Sequence, residues 1–181
     1  MSAAPILRGE RVTLRPIEAR DVDRLAEILG EPEVVRWWGD EHPAVGAKEL
    51  LEATDEVGFV IEAGGEVVGS IQYYEETDSM YRHAGMDIFL ATAHQNRGLG
   101  SETLRLLARY LFEERGHHRL IIDPAVANER AIRTYERVGF RPVGVMRRYE
   151  RGPDGAWRDS LLMDMLTGEL RGPDGGSGPR R

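Results

Sequence analysis

The chain has 181 residues, of which 41% are hydrophobic and 30% are charged. This length predicts one domain with a single well-buried core, since two domains of ordinary size would need an evident linker. No apolar run approaches the ~18 residues that a membrane span requires, so we expect no membrane association. Cysteine is absent, which excludes disulfides, thiol nucleophiles and cysteine-bound zinc. The first residues lack a secretory signal, so the cytoplasm is the expected compartment.

The net charge of the chain indicates which kinds of binding partner to expect. A formal net charge of −7, from 31 acidic and 24 basic residues, argues against nucleic-acid binding and favours cationic partners. The five histidines have no metal-binding spacing, so we predict no metal site.

The first half of the chain predicts two helices and four strands. Residues 12–18 alternate apolar and polar side chains and predict a strand, after which Asp21 is expected to cap a helix that ends at Gly30. Residues 33–43 are predicted to be irregular, and 44–55 to form a short helix. Three strands should follow, the first two joined by a hairpin turn at Gly64 and Gly65, with ranges 58–63, 67–77 and 84–91.

The second half predicts helices and strands in alternation. Apolar residues at helical spacing follow Gly100 as far as Gly116, and 119–123 is a buried type of strand. Asn128 can cap a second helix that ends at Gly139, before a final hairpin of residues 140–150 and 157–166. This order predicts a mixed α/β sheet with helices on its faces. The domain is predicted to span residues 1–168, and 169–181 to be a disordered tail.

The stretch Gln95-Asn-Arg-Gly98-Leu-Gly100 lies between a predicted strand and a predicted helix. Glycines let a backbone approach a ligand closely, and the first turn of a helix offers free N–H groups, so a phosphate fits there. A dinucleotide fingerprint would need glycine where Thr103 stands, and a P-loop would need a lysine. Coenzyme A pyrophosphate, a mononucleotide, and a simple turn without a ligand remain as interpretations.

A second motif follows downstream, with Asn128, Ala131, Tyr135 and the pair Gly139-Phe140 at fixed spacing. Together the two motifs resemble the GCN5-related N-acetyltransferase superfamily, and the resemblance covers residues 10 to about 168. It implies acetyl-coenzyme A as the cofactor and Tyr135 as the general acid for the leaving thiolate. A tyrosine that only packs in the core is the alternative. The implied cofactor-binding residues are Ile88, Phe89, Gln95, Arg97, Gly98, Leu99, Gly100, Ser101, Asn128, Ala131 and Tyr135.

Further stretches are similar to the aminoglycoside 6'-N-acetyltransferases: the Arg-Trp-Trp-Gly run at 36–39, Ala-Gly-Met-Asp-Ile-Phe-Leu at 84–90, Asp123-Pro124, and residues 130–140. Trp37 and Trp38 could then form an apolar wall for sugar rings, or else a plug between helices. Asp87 interrupts an apolar strand, and this resemblance implies that it is the general base for the acceptor amine. Asp123 is the second candidate, with an Asp-Pro turn as its alternative.

Residues 31–41 and 75–87 contain eight acidic residues against two arginines, which favours a small polycationic amine as the acceptor, although solvated acidic loops are common. The expected acceptor-binding residues are Trp37, Trp38, Asp40, Glu41, Tyr74, Glu76, Asp87 and Asp123. A peptide N-terminus, a lysine-type amine in siderophore assembly, and a non-catalytic protein that binds acyl-coenzyme A are the alternative functions. We expect a monomer or a homodimer.

Overall fold

The structure is a computed structural model that describes residues 4–39 and 42–173. In this part of the chain, eight strands form one sheet and five α-helices cover it. The strands are β1 (Leu7–Arg8), β2 (Val12–Pro16), β3 (Glu56–Ala63), β4 (Glu66–Glu76), β5 (His83–Leu90), β6 (Arg119–Ile122), β7 (Arg141–Arg151) and β8 (Trp157–Leu166). The helices are α1 (Val22–Leu29), α2 (Pro32–Trp38), α3 (Pro43–Glu52), α4 (Leu99–Glu113) and α5 (Glu129–Val138).

The sheet has the order β1-β2-β3-β4-β5-β6-β8-β7, and β5 and β6 are its parallel neighbours. Their pairing covers Ala84 with Leu120 and Gly85 with Ile121, where it stops. Strand β5 continues to Leu90, while β6 ends at Ile122. The two strands therefore separate after Gly85, and the later half of β5 faces a gap in the sheet.

Helices lie on both faces of the sheet, because each face carries its own apolar cluster. On one face, Leu104, Leu107 and Leu111 of α4 pack in the larger cluster with strand residues such as Ile71 and Met86. On the other face, α1, α2 and α3 pack against Val60 and Phe89, through residues that include Leu25, Ile28, Val34 and Ala47. This arrangement confirms the predicted mixed α/β fold.

One local prediction near the first helices was wrong, and another was right in position only. Residues 32–38, predicted to be irregular, form α2, with Pro32 in its first turn and Val34 buried. Asp21 is the N-cap residue of α1, as predicted, but its side chain makes no capping hydrogen bond to this helix. Its carboxylate instead accepts a hydrogen bond from the Arg15 guanidinium at 2.7 Å and another from the Glu18 backbone N–H at 2.8 Å. A nearby buried cation therefore determined the role of Asp21, and local helix signals do not reveal such a partner.

The predicted tail begins inside the packed domain. Leu170 packs against the larger apolar cluster, and the Arg171 N–H donates to the Val138 carbonyl at 2.8 Å. Residues 174–181, the rest of the predicted tail, lie outside the described residues. None of the described helices is both long and apolar enough to cross a membrane.

Candidate active site

A cavity of about 470 Å³ lies at the free part of β5, between this strand, α2, α4 and α5. We call it the cofactor cavity. Most of the residues predicted to bind the cofactor line it: Ile88, Phe89, Gln95, Gly98, Gly100, Ser101, Asn128, Ala131 and Tyr135. The separation of β5 from β6 thus brings together two motifs that lie about 30 residues apart in the sequence.

The loop before α4 presents backbone donors to this cavity. Gly98 has φ +79°, a left-handed conformation that favours glycine, and its carbonyl accepts the hydrogen bond from Glu102 N–H at 3.1 Å. The N–H groups of residues 99–101 precede that first helical bond, so the helix supplies them with no carbonyl partner. Together with the helix dipole they form a site suited to a phosphate group.

Gln95 fixes this loop to the end of β5. Its side-chain Nε2 donates to the Leu90 carbonyl at 2.8 Å. Its buried Oε1 has no hydrogen-bond partner among the described residues. Since buried polar atoms are normally paired, this oxygen is suited to accept a hydrogen bond from a bound ligand.

Two predicted cofactor residues occupy other positions. The side chain of Leu99 is 7% exposed and belongs to the core cluster, so its backbone N–H alone can serve a ligand. The side chain of Arg97 is exposed and does not line the cofactor cavity, while its carbonyl accepts a hydrogen bond from Arg11 at 2.9 Å.

The cationic side chains that line the cofactor cavity are those of Arg130 and Arg137, which the sequence analysis missed. The two residues are seven positions apart on α5, a spacing of about two helical turns that places them on one face. That spacing was the available signal. It could be recognised only after the other face, with Tyr135 and Val138, was known to be buried.

Helix α5 positions Asn128 and Tyr135. The Oδ1 of Asn128 accepts a hydrogen bond from Ala131 N–H at 3.2 Å, so Asn128 is the N-cap, as predicted. Tyr135 is 8% exposed and lines the cofactor cavity. Burial, followed by the negative charges of Asp87 and Asp123, holds the pKa of its hydroxyl above the usual range. Tyr135 therefore keeps its proton at neutral pH and can donate it.

Asp87 lies on the free part of β5, on the same face of the sheet as Phe89, because alternate residues of a strand share a face. Burial, followed by the negative charges of Asp123, Glu56 and Glu150, raises the pKa of its carboxyl to about 7. A carboxylate with a pKa near neutrality is suited to accept a proton from an ammonium group.

The sheet register explains why these acids meet Asp87. Glu56 of β3 is paired with Tyr74 of β4, and Tyr74 is paired with Gly85 of β5. Gly85 precedes Asp87 by two residues, so Glu56 and Asp87 lie on the same face of the sheet. Gly85 of β5 is paired with Ile121 of β6. Asp87 comes two residues after Gly85, and Asp123 comes two residues after Ile121. Asp87 and Asp123 therefore face each other across the gap between the strands.

A bulge in β7 adds two residues that the sequence analysis missed. The register of β7 shifts between Met146 and Glu150, and Arg148 within the bulge has φ +49°. The bulge re-aims neighbouring side chains, so that Tyr149 lowers the pKa of Asp123 and Glu150 raises the pKa of Asp87. No sequence signal marks a bulge of this kind.

A second cavity of about 510 Å³ lies between the helices α1, α2 and α3 and the strands β3 and β4. We call it the acidic cavity. Its lining includes Glu49, Glu52, Asp55 and Glu56, and no arginine, lysine or histidine from the described residues. Gln72, the partner of Asp87 across β4 and β5, also lines it, so the cavity leads toward Asp87.

The two predicted tryptophans occupy different positions. Trp37 lines the cofactor cavity, and the guanidinium of Arg36 lies 4.7 Å from the centre of its ring. Trp38 packs edge-on against Phe89, with ring centroids 4.7 Å apart, and lines both cavities. Trp38 thus lies at the boundary of the two cavities.

Other predicted acceptor residues lie differently. Tyr74 packs over Gly85, and burial raises the pKa of its hydroxyl to about 12. Glu76 lines neither cavity; its carboxylate accepts a hydrogen bond from Asp78 N–H at 2.8 Å and thereby shapes the loop after β4. Asp40 and Glu41 lie outside the described residues.

Acids counted from the loop sequences also proved to have structural partners. Glu75 lies on the opposite face from Tyr74, where it binds Arg115 at 2.7 Å and His117 at 2.6 Å. Glu31 accepts a hydrogen bond from Thr92 N–H at 2.6 Å. The acidic character of the site thus comes from β3, α3 and β7 more than from the loops that predicted it.

The family is decided by comparison with known proteins. The family model described as an acetyltransferase (GNAT) domain matches residues 11–141. The chain belongs to the GNAT acetyltransferase family. It is therefore an acetyl-coenzyme A-dependent N-acetyltransferase, as the resemblance of its motifs implied.

Similar proteins differ in the acceptors that their names give. An aminoglycoside N(6')-acetyltransferase type 1 from Klebsiella pneumoniae is 32% identical over 163 residues, covering 76% of this chain and 78% of the relative. A spermidine N(1)-acetyltransferase from Escherichia coli is 28% identical over 159 residues, covering 84% of each chain. The structure of AAC(6')-Ib in complex with ribostamycin and coenzyme A has a TM-score of 0.72 and 28% identity, covering 87% of this chain and 94% of that one.

The residues of the cofactor cavity fit coenzyme A. The free N–H groups of residues 99–101 suit its pyrophosphate, and Arg130 and Arg137 add positive charge. The unpartnered Oε1 of Gln95 offers an acceptor to the coenzyme. Asn128 and Ala131 line the same cavity, on the side of α5.

Proposed function

We propose that this N-acetyltransferase acetylates the 6'-amine of aminoglycosides, and that Asp87 and Tyr135 carry out its proton transfers. The main support for this proposal is the group of acidic residues around Asp87 and in the acidic cavity. Asp123, Glu56 and Glu150 all raise the pKa of Asp87 beside the gap between β5 and β6, and Asp123 also raises that of Glu150. The acidic cavity adds further carboxylates beside them. Such a region attracts a substrate with several ammonium groups and disfavours anions.

The chemistry needs two proton transfers, and the bound cofactor supplies the acetyl thioester. An amine arrives mainly as an ammonium ion and must lose a proton before it can attack. Asp87 would accept that proton, directly or through a water molecule. Tyr135, which lines the cofactor cavity and is protonated at neutral pH, would donate its proton to the departing sulfur. Direct attack of the amine on the thioester requires no covalent acyl-enzyme.

The binding of the acceptor would divide between apolar and charged groups. Trp38 offers a flat surface at the boundary of the two cavities, which suits a sugar ring. Asp123 would bind a second ammonium group, and Glu56 a third. This division matches an aminoglycoside, which combines rings with several amines.

A linear polyamine is the second candidate acceptor. It is favoured by the similarity to the spermidine N(1)-acetyltransferase and by the row of acids at the end of α3. A flexible polyamine needs spaced carboxylates but no flat ring surface. The two candidates therefore differ in their dependence on Trp38.

The test is a panel of amines assayed by thiol release from acetyl-coenzyme A. Kanamycin-type compounds with a 6'-amine are compared with analogues that carry a 6'-hydroxyl, with spermidine, and with lysine derivatives and peptides. Mass spectrometry locates the acetyl group on each product. We expect reaction at the 6'-amine and no reaction with the 6'-hydroxyl analogue.

Each other outcome removes a part of the proposal. Equal reaction of the 6'-amine and 6'-hydroxyl compounds would show that the regiochemistry is wrong. Reaction with spermidine alone would assign the acidic cavity to a linear polyamine. Reaction with peptides or lysine derivatives alone would overturn the polycationic acceptor and leave the N-acetyltransferase activity in place.

A further inference from the structure

One side chain separates the cofactor cavity from the acidic cavity. Among residues 4–39 and 42–173, Trp38 is the residue that lines both of them. It is the last residue of α2, and Gly39 follows it with φ +119°. Trp38 therefore lies at the boundary of two spaces of about 470 and 510 Å³, and we call its indole the partition.

The partition is held in place from two sides. The ring of Phe89 meets the indole edge-on, at 4.7 Å between centroids and an interplanar angle of 64°. The end of α2 is tied to β8, because Arg158 Nη1 donates to the carbonyl of Arg36 at 2.9 Å. Trp38 also packs against the apolar cluster that joins α1, α2 and α3 to the sheet. Its position is fixed by packing on several elements.

The partition lies next to the position of the reacting acyl group. Phe89 follows Asp87 by two residues on β5 and shares its face of the sheet. Tyr135 lines the cofactor cavity together with Phe89 and Trp38. An acyl carbon held in the cofactor cavity beside Tyr135 therefore shares that cavity with the Phe89 and Trp38 rings.

We propose that Trp38 sets the length of the acyl group that the enzyme transfers. An acetyl group ends before the indole, whereas each further methylene must displace a ring that is packed against Phe89. With a small residue at position 38, the two cavities would join, and a longer acyl chain could extend into the space thus opened. The proposal rests on the proposed roles of Asp87 and Tyr135 for the location of the acyl carbon, and it is independent of the identity of the acceptor.

The experiment compares acetyl-, propionyl-, butyryl- and hexanoyl-coenzyme A as donors for the wild type and for Trp38→Ala. Thiol release with one saturating acceptor gives kcat/KM for each donor. A single methylene in an apolar pocket changes selectivity by roughly 10- to 200-fold. We therefore expect the wild type to prefer acetyl strongly, and the ratio of butyryl to acetyl to rise at least about tenfold in Trp38→Ala.

Two other tryptophans provide matched controls. Trp37→Ala removes a neighbour that lines the cofactor cavity but not the acidic cavity, so its donor ratios should stay those of the wild type whatever its overall rate. Trp157→Ala removes an indole on β8 that is 61% exposed, and should leave rates and ratios unchanged. A role of Trp38 confined to the acceptor would raise the acceptor KM equally with every donor.

Two results would overturn the proposal. One is a wild type that uses butyryl-coenzyme A as well as acetyl-coenzyme A, and this measurement needs no variant. The other is an unchanged donor ratio in Trp38→Ala, or in Trp38→Leu should the alanine variant fail to fold. If no amine in the panel reacts, the acceptor assignment fails separately, and calorimetric affinities for acetyl- and butyryl-coenzyme A test the partition alone.

Discussion

The two cavities lined by Trp38 are suited to their proposed ligands by different physical means. The cofactor cavity combines backbone N–H groups at the start of α4 with apolar side chains and two arginines. The acidic cavity and the acids beside it rely on carboxylates whose positions depend on strand register. Binding by the backbone N–H groups at a helix start depends little on which side chains are present. Binding by a cluster of carboxylates depends on each of those side chains. The donor side should therefore be sensitive to backbone shape, and the acceptor side to charge.

The largest loss of turnover should follow the removal of the Asp87 carboxylate, the proposed general base. General acid–base groups contribute typically ~100-fold or more in rate, so we expect Asp87→Asn to lower kcat by that order. Affinity for coenzyme A, measured by calorimetry, should change little. A variant with near-normal turnover between about pH 6 and 9 would place the base elsewhere, with Asp123 as the next candidate.

The pH profile of the wild type tests the same residue without a mutation. Burial and neighbouring acids raise the pKa of Asp87 to about 7, and the base must be ionised to accept a proton. Turnover should therefore rise with pH through about 7 and approach a plateau above it. An acid limb near the usual pKa of an aspartate would contradict this assignment.

The next largest effect should be on the donor side, at Gly100. A Cβ added there would lie 3.4 Å from Leu90 Cδ1, an ordinary contact, so Gly100→Val should fold. Its branched side chain would keep the cofactor phosphates away from the helix amides. Since a hydrogen bond to a charged group is worth about 1.5–3 kcal/mol, the Kd for coenzyme A should rise roughly 10- to 100-fold.

Gly98 is the less suitable position for that test, because its φ of +79° would strain any other residue. The matched control is Gly144→Val on β7, where a Cβ would meet nothing within 4 Å. Calorimetry should give this control the coenzyme affinity of the wild type. Unchanged binding in a folded Gly100→Val variant would remove the helix start as the phosphate site.

The acceptor side should respond to salt more than the donor side does. Screening at ~0.15 M ionic strength already limits interactions between exposed charges to ~8 Å. The KM for a polycationic acceptor should rise several-fold as salt increases, while the KM for a single-amine acceptor should change less. Equal salt dependence for the two acceptors would indicate that the carboxylates do not bind the distal ammonium groups.

The donor side could be predicted from the sequence because its determinants are local. Gln95, Gly98 and Gly100 lie within six consecutive residues, and Asn128 caps the helix that carries Tyr135. Spacing alone shows such features, since helix starts and glycine conformations depend on near neighbours in the chain. The motif does not show which way a loop side chain turns, so the exposure of Arg97 and the burial of Leu99 could not be predicted.

The acceptor side depended on contacts that spacing does not show. Glu56 reaches Asp87 through the registers of β3, β4 and β5, and Tyr149 reaches Asp123 through a bulge in β7. Adjacent acids, such as Glu75 and Glu76, point to opposite faces of the sheet, so an acid count over the loop could not separate them. Trp38 was predicted to line the site, but its place between two cavities required the packing of α2 against Phe89.

The smallest expected effect tests whether the acidic cavity acts on the chemistry. The carboxylate of Glu56 raises the pKa of Asp87 by repulsion, after burial and Asp123 in importance. Glu56→Gln removes that charge, so the pKa of Asp87 should fall, and more of it will be ionised below neutral pH. The acid limb of kcat should then move to lower pH, while the rate on the high-pH plateau changes little. Glu52→Gln is the control, because Glu52 lines the same cavity but is not among the groups that shift the pKa of Asp87. If both variants move the limb equally, the effect is one of net charge, and Glu56 has no particular coupling to the base.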